Sequence, residues 1–99
     1  MLIEEAKLDE RFFTEDFKIY TLKENDKVIG SVEFIERERF IENIYIEERC
    51  RGKGYLRQII DFLGKPLIAL PLHQHIDKFK HLGFKHHQDI GEDSYYILN

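Results

Sequence analysis

A change of hydrophobic period on either side of a glycine-rich segment most constrains how this 99-residue chain can fold. The segment is Arg51-Gly52-Lys53-Gly54, whose glycines suit a tight connection. Before it, residues 28–35 divide into two alternating sets of side chains, which is the period of a strand. After it, four apolar residues recur at the i, i+3, i+4 and i+7 spacing of an amphipathic helix: Leu56, Ile59, Ile60 and Leu63.

The flanking segments extend this pattern to an α/β domain. The first helix ends at Gly64, and a second is expected over residues 73–82, ended by Gly83. The expected strands are residues 17–22, 28–35, 40–46, 67–70, 84–88 and 95–98. The predicted order is therefore β-β-β-α-β-α-β-β, and residues 2–7 are a candidate for one more strand at the amino terminus.

Composition indicates one domain over residues 1–99, because 42% of the residues are hydrophobic and no linker or repeat interrupts them. No apolar run approaches the ~20 residues that span a bilayer, and the first residues lack the pattern of a secretory signal. Cys50 is the single cysteine, which fits a reducing compartment. We therefore expect a cytoplasmic protein that does not contact a membrane.

Charge is distributed unevenly along the chain. The formal net charge is −4, which argues against a nucleic-acid partner. Residues 1–48 hold fourteen acids and seven bases, whereas residues 49–99 hold five acids and eight bases. Half of those eight bases lie in one short run without an intervening acid: Arg49, Arg51, Lys53 and Arg57. An acidic chain has thus concentrated positive charge around its glycine-rich segment.

A strand, a glycine-rich turn and a helix in succession can bind phosphate. The first N–H groups of a helix lack intrahelical partners, and glycines admit an anion close to the backbone. The alternative is a tight turn with solvated Arg and Lys side chains. The segment is not a P-loop, which would read Gly-x-x-x-x-Gly-Lys-Ser/Thr, and it lacks the third glycine of a dinucleotide-binding fingerprint.

The wider segment, residues 44–55, closely resembles motif A of the GCN5-related N-acetyltransferases, in which a hydrophobic strand end precedes Arg-Gly-x-Gly. Leu82-Gly83-Phe84 is similar to the Leu-Gly-Phe at the end of that family's fourth helix. The predicted element order also matches, from residue 17 to residue 99. The resemblance implies a mixed, mostly antiparallel sheet with two main helices, and acetyl-coenzyme A as co-substrate.

Two registers align the loop with the family's Arg/Gln-x-x-Gly-x-Gly/Ala. Arg49-x-x-Gly52-x-Gly54 matches by letter, whereas Arg51-x-x-Gly54-x-Leu56 keeps the family's spacing from the strand end and is preferred. Amides from Gly52 to Leu56 would then cradle the coenzyme's pyrophosphate, although Leu56 stands where the family has a small residue. The cofactor-binding residues that the resemblance implies are Tyr45, Ile46, Arg51, Gly52, Lys53, Gly54, Tyr55 and Leu56.

The resemblance also suggests catalytic groups. The amide of Ile46 matches the N–H that polarises the thioester carbonyl in the family. Glu42, on the same strand, is the candidate base, with a surface glutamate as the alternative. Phe79 occupies the position of the family's general-acid Tyr and cannot donate a proton; alternatively, it is a core residue of its helix. A thiol with a pKa near ~8.5 can leave as thiolate without that acid, so its loss need not abolish activity.

The amino-terminal region departs from the family. Two helices normally help to form the acceptor site, but only about ten residues, Leu8 to Phe17, are present here, too few for two packed helices. The acceptor side is therefore open, completed by a partner chain as in a homodimer, or suited to a large substrate. Two functions follow: acetyl transfer to a primary amine of a small molecule or protein, or a catalytically weak or inactive module that binds coenzyme A or a protein.

Histidine and cysteine give weaker signals. His73, Asp77 and His81 fall four apart on one helix face, but a metal needs three or four convergent ligands, so no metal site is expected. His73 or His75 is an alternative base near the thioester. We expect Cys50 to be an exposed spectator thiol, with an acetyl-cysteine intermediate as the alternative.

Overall fold

The computed structural model describes residues 1–7 and 16–99. Within them, the helices are α1 (Tyr55–Leu63) and α2 (Ile76–His81), each preceded by a short 3-10 turn, Glu48–Cys50 before α1 and His73–His75 before α2. The strands are β1 (Leu2–Glu5), β2 (Phe17–Glu24), β3 (Lys27–Ile35), β4 (Phe40–Ile46), β5 (Leu67–Ala69), β6 (Lys85–Ile90) and β7 (Asp93–Leu98).

These strands form one seven-stranded sheet in the order β1-β2-β3-β4-β5-β7-β6. Neighbouring strands are antiparallel except β4 and β5, which are parallel because α1 carries the chain back across the sheet between them. The predicted mixed, mostly antiparallel sheet with two main helices is confirmed, and residues 2–5 supply the candidate amino-terminal strand.

Both helices cover the same face of the sheet. Ile60 of α1 and Phe79 of α2 share one buried cluster with Phe34, Leu67 and other sheet residues. The neighbouring Ile59 is buried in a second cluster, against Leu22, Ile29, Val32 and Cys50. The apolar spacing predicted for the first helix is therefore the face by which α1 packs on the sheet.

Arg39 ties the end of α1 to the start of β5. Its guanidinium donates hydrogen bonds to the carbonyls of Leu63, Gly64 and Pro66, over 2.5, 2.8 and 3.1 Å. A positive group at a helix carboxyl end also offsets the negative end of the helix dipole. The contact fixes where α1 ends relative to β5, one wall of the cleft described below.

Several elements differ from their predicted bounds, most clearly the β2–β3 hairpin and the second helix. β2 and β3 run to a two-residue turn, Asn25-Asp26, in which both residues have positive φ, as type I′ hairpins require. The second helix is shorter than predicted, because its first turn, His73–His75, is 3-10 rather than α. Among the described residues, no helix has the length and apolar character needed to cross a membrane.

Candidate functional site

β4 and β5 diverge after a short stretch of pairing. They pair only at Phe40 with Ile68 and at Ile41 with Ala69, although β4 continues to Ile46. The register between β3 and β4 shifts at Glu42, so that Glu42 and Asn43 both lie opposite Glu33. A bulge of this kind bends its strand and increases the local twist. It accounts for the opening of β4 away from β5.

A cleft of about 730 Å³ fills the space between the diverging strands. This volume lies within the range typical of small-molecule sites. β4 contributes residues Ile41 to Ile44 and Ile46 to its lining, and the segment after β5 contributes Leu70, Pro71 and Leu72. The loop, α1 and α2 complete the walls with Arg51, Gly52, Gly54, Tyr55, Leu56, Arg57, His75, Asp77, Lys78, Phe79, His81 and Leu82.

The backbone of β4 directs polar groups into this cleft. The N–H of Glu47 donates to the carbonyl of Ile29 on β3, 2.7 Å away. Because successive residues of a strand point their N–H and C=O groups to opposite neighbours, Ile46 and Ile44 direct theirs away from β3, toward the cleft. Arg51 provides independent support, since its Nε donates to the Ile46 carbonyl over 2.8 Å.

The glycine-rich loop delivers the amino end of α1 to the same cleft. Gly52 and Gly54 have φ of 79° and 81°, which L-residues rarely adopt, and a Cβ at either position would meet no atom of residues 1–7 and 16–99 within 4 Å. Gly54 is the N-cap of α1, no side chain in the described part of the protein caps the helix, and the first turn of α1 holds no acid. Among the described residues, the first amides of α1 therefore have no side-chain acceptor, and Gly54, Tyr55 and Leu56 line the cleft.

The structure divides the four bases of the loop region into two pairs. Arg51 and Arg57 line the cleft. Arg49 instead pairs with Glu47 over 2.7 Å, a hydrogen bond that raises the pKa of Arg49 above its ordinary value. Lys53 pairs with Glu24 on β2 over 3.6 Å. The cleft thus has a partly basic end, at the loop, and an end near the bulge where Glu42 lies.

A family model for the acetyltransferase (GNAT) family matches residues 2–65, more than half of the chain. The chain belongs to the GNAT acetyltransferase family. The resemblance seen in the sequence is confirmed, and acetyl-coenzyme A, the co-substrate of GNAT proteins, is confirmed at the level of the family. Membership supports acetyl transfer as the general activity. No curated protein matches the sequence.

Solved GNAT structures share the fold. The N-acetyltransferase PseH of Campylobacter jejuni, in complex with acetyl coenzyme A, superposes with a TM-score of 0.67 at 18% identity, covering 85% of this chain and 68% of that one. Tetrahymena GCN5 gives 0.66 at 18% identity, covering 89% and 71%. A Bacillus subtilis acetyltransferase in complex with CoA gives 0.70 at 14% identity, covering 98% of this chain and 97% of that one.

Within this GNAT fold, most of the predicted cofactor residues line the cleft. Ile46, Arg51, Gly52, Gly54, Tyr55 and Leu56 all do so. Tyr45 and Lys53 lie outside the lining, with the Tyr45 side chain 50% exposed and its backbone facing β3. The arrangement favours the register built on Arg51, because Arg49 is turned toward Glu47 and Gly54 begins the helix.

The two predicted catalytic positions both line the cleft. Glu42 is exposed at the bulge of β4. Phe79 is only 9% exposed and packs edge-to-face on Phe84, with ring centroids 5.2 Å apart. Phe79 therefore belongs to the core and borders the GNAT cleft at once, so the two interpretations of this residue are compatible.

The cysteine interpretation was wrong. Cys50 is 3% exposed and packs within the core cluster of Leu22, Ile29 and Val32, because the 3-10 turn after β4 directs its side chain inward. An acetyl-cysteine intermediate would need an accessible thiol. His75 and His81 line the cleft whereas His73 does not, and among residues 1–7 and 16–99 no group of three His, Cys, Asp or Glu is placed to hold a metal.

Some lining residues were not singled out as site residues from the sequence. Asn43 and Ile44 line the cleft because of the bulge and the strand register, which depend on the pairing of β4 with β3. Leu70 and Leu72 are 38% and 66% exposed, and only their place beside the diverging strands distinguishes them. Lys78 also lines the cleft, but it belongs to none of the motifs recognised in the sequence. The predicted shortness of the amino-terminal region concerns residues 8–15, which lie outside the described residues.

Proposed function

We propose that this GNAT domain binds acetyl-coenzyme A in the cleft between β4 and β5 and transfers the acetyl group to a primary amine. One observation carries the proposal: the backbone groups of Ile44 and Ile46 and the uncapped amino end of α1 face the same cleft. The helix end suits the pyrophosphate, and the strand groups suit the amides of the pantetheine arm.

The residues present fit the binding of this co-substrate. Amides of the α1 amino end and Arg51 hold the pyrophosphate, and Leu56 borders it. The pantetheine arm lies along β4, with Ile44 and Ile46 as its backbone partners in place of Tyr45. Glu42 lies four residues before Ile46, roughly 13 Å along the strand, which separates the phosphate end from the reacting end.

Acetyl-coenzyme A supplies an activated thioester. Glu42 accepts a proton from the neutral amine as the amine nitrogen forms its bond to the acetyl carbon. The N–H of Ile44, which is two residues from Glu42, donates to the carbonyl oxygen, where negative charge develops. The N–H of Ile46, which the resemblance suggested for this role, lies too far along β4 from Glu42. The carbon–sulfur bond breaks, and the thiolate leaves and takes a proton from solvent, because Phe79 offers none. The products are the acetylated amine and coenzyme A.

Calorimetric and thermal-shift titrations with acetyl-coenzyme A test the binding step. We expect saturable binding with a rise in the melting temperature, since a ligand at one hundred times its Kd adds about 2.7 kcal/mol of stability. Gly54→Asp places a carboxylate at the α1 amino end and should abolish binding. Gly91→Asp is the matched control, because Gly91 also has positive φ, 62°, but lies in the β6–β7 turn. If wild type and Gly54→Asp bind acetyl-coenzyme A equally well, the glycine-rich loop is not part of the binding site.

Glu42→Gln tests the transfer step. In a screen of primary amines, the variant should lose roughly 10²–10⁴-fold in kcat while it still binds acetyl-coenzyme A, because only the base is removed. Glu48→Gln is the control, because Glu48 is exposed in the 3-10 turn before α1 and does not line the cleft. If Glu42→Gln transfers as fast as wild type, another group or a water acts as base.

A binding module without efficient transfer is the second candidate, favoured by the absence of a hydroxyl at Phe79. It predicts wild-type binding of acetyl-coenzyme A with no acetylated product from any amine in the screen. Detection of product by mass spectrometry, at a rate above the non-enzymatic background, would exclude it.

A further inference from the structure

Lys78, on α2, brings a primary amine of the protein itself to the wall of the cleft. The chain holds nine lysines, all of them among the described residues, and of these nine only Lys78 lines the cleft. Its side chain is exposed. Within residues 1–7 and 16–99, Lys78 takes part in no ion pair, whereas Lys18, Lys23 and Lys53 each pair with a glutamate. The amine of Lys78 is therefore not held by a carboxylate of the described part of the chain.

The backbone that carries this amine is anchored to the core. Phe79, the next residue, is 9% exposed and packs edge-to-face on Phe84. The N–H of Leu82 donates hydrogen bonds to the carbonyls of Lys78 and Phe79, over 3.2 and 3.1 Å, which closes the last turn of α2. The four-carbon stem of a lysine is flexible, so the amine can reach into the cleft from a fixed point beside Phe79.

This fixed point lies at the reacting end of the proposed complex. In the proposed reaction, Phe79 borders the place where the thiolate leaves, and the acetyl carbon is bonded to that sulfur. A group on a short flexible tether has an effective concentration on the order of millimolar at its target. Lys78 therefore competes with any amine that must arrive from solution.

We propose that Lys78 is a self-acetylation site, which accepts the acetyl group of the coenzyme bound in its own cleft. The inference rests on the proposed function and adds a modification site to it. Nζ of Lys78, as the neutral amine, forms a bond to the acetyl carbon while its proton passes to water. The carbon–sulfur bond breaks, and the thiolate takes a proton from water. The products are coenzyme A and an acetylated Lys78, which has lost its positive charge.

Lys80 supplies an internal control on the same helix. It lies two residues further along α2 and is also exposed, but it does not line the cleft. Both lysines meet the same acetyl-coenzyme A in solution, so acetylation from solution should modify them at similar rates. A faster reaction at Lys78 therefore measures the contribution of the occupied cleft.

The experiment incubates wild type, Lys78→Arg and Gly54→Asp with isotopically labelled acetyl-coenzyme A at micromolar concentration, without an added amine, and follows each lysine by peptide mass spectrometry. In wild type, Lys78 should be acetylated about tenfold or more faster than Lys80, because the tethered amine meets the bound thioester at about millimolar effective concentration. Excess coenzyme A, or the Gly54→Asp change, should reduce Lys78 to the rate of Lys80. Lys78→Arg should lose the rapid addition of one acetyl group in its intact mass. With acetyl-coenzyme A saturating, the rate per molecule should be independent of protein concentration.

The remaining outcomes overturn the inference. Acetylation of Lys78 no faster than that of Lys80, or equally fast in Gly54→Asp or with excess coenzyme A, would show that the cleft does not direct the reaction. A rate per molecule that rises with protein concentration would show transfer between molecules instead. Calorimetry on the same protein separates the two proposals. Binding of acetyl-coenzyme A with an unmodified Lys78 overturns self-acetylation alone, whereas failure to bind overturns the proposed function and self-acetylation together.

Discussion

The Nε of Arg51 donates a hydrogen bond to the backbone carbonyl of Ile46, 2.8 Å away. A side chain from the phosphate loop thus contacts the last cleft-facing carbonyl of β4, where the pantetheine arm is proposed to lie. The two proposed ligand contacts, phosphate on Arg51 and amide on Ile46, are therefore linked through one side chain.

Arg51→Ala should affect two ligands in opposite directions. Affinity for acetyl-coenzyme A should fall about tenfold or more, because a charge-assisted contact to phosphate is lost. Affinity for S-acetylpantetheine, which has no phosphate, should rise, because the Ile46 carbonyl is released. Calorimetry measures both, and Arg49→Ala, whose side chain pairs with Glu47, should change neither. A fall for both ligands would indicate that Arg51 supports the loop's conformation instead.

Phe79→Tyr should raise the rate of acetyl transfer. Phe79 borders the cleft, so a hydroxyl there can protonate the leaving thiolate, with a gain of no more than the ~10²–10⁴-fold typical of general acids. Phe84→Tyr is the control, since Phe84 is 2% exposed and does not line the cleft. It should lower stability by about 1–3 kcal/mol through an unpaired hydroxyl, without a gain in rate. The same result for Phe79→Tyr would leave Phe79 as a core residue only.

Gly30→Ala should destabilise the fold at the edge of the site. A Cβ on Gly30 would overlap the backbone carbonyl oxygen of Tyr45, so β3 and β4 must separate. We expect a loss of about 1–3 kcal/mol in urea unfolding, as for other overpacked positions, together with weaker binding of acetyl-coenzyme A. Ser31→Ala, at the next position of β3, should cost less. Wild-type stability in Gly30→Ala would show that the strands accommodate the methyl group.

The stability of the β6–β7 hairpin should fall at acid pH, when Asp89 becomes protonated. Its carboxylate accepts hydrogen bonds from Nε2 of His86, over 2.8 Å, and from Oγ of Ser94, over 2.7 Å, which lower the pKa of Asp89 below its ordinary 3.8. A depressed pKa in the folded state adds stability above pH 3.8 that is lost as the pH falls through the folded value. Ser94→Ala should move the pKa back toward 3.8 in an NMR carboxyl titration. An unchanged value would remove Ser94 as a cause.

Local pattern alone determined the strands, the helix after the glycine loop and the family. The i, i+3, i+4, i+7 spacing of Leu56 to Leu63 predicted the face by which α1 packs, because that periodicity is a property of neighbouring residues along the chain. The loop glycines were assigned to a turn before a helix for the same reason. The positive φ of Gly52 and Gly54 agrees with that assignment.

Only the tertiary structure decided which residues share the cleft. The pairing of β4 with β3 places the bulge at Glu42. It also directs the backbone N–H and C=O groups of Ile44 and Ile46, rather than those of Tyr45, into the cleft. This register depends on a strand that is distant in the sequence. Ion pairs with Glu47 and Glu24 separate Arg49 and Lys53 from Arg51 and Arg57, although the four bases are equivalent in the sequence. The 3-10 turn buries Cys50, and α2 brings Lys78 to the cleft. Sequence periodicity reports which side of an element is apolar, whereas the partner of each polar group is set by contacts between segments far apart in the chain.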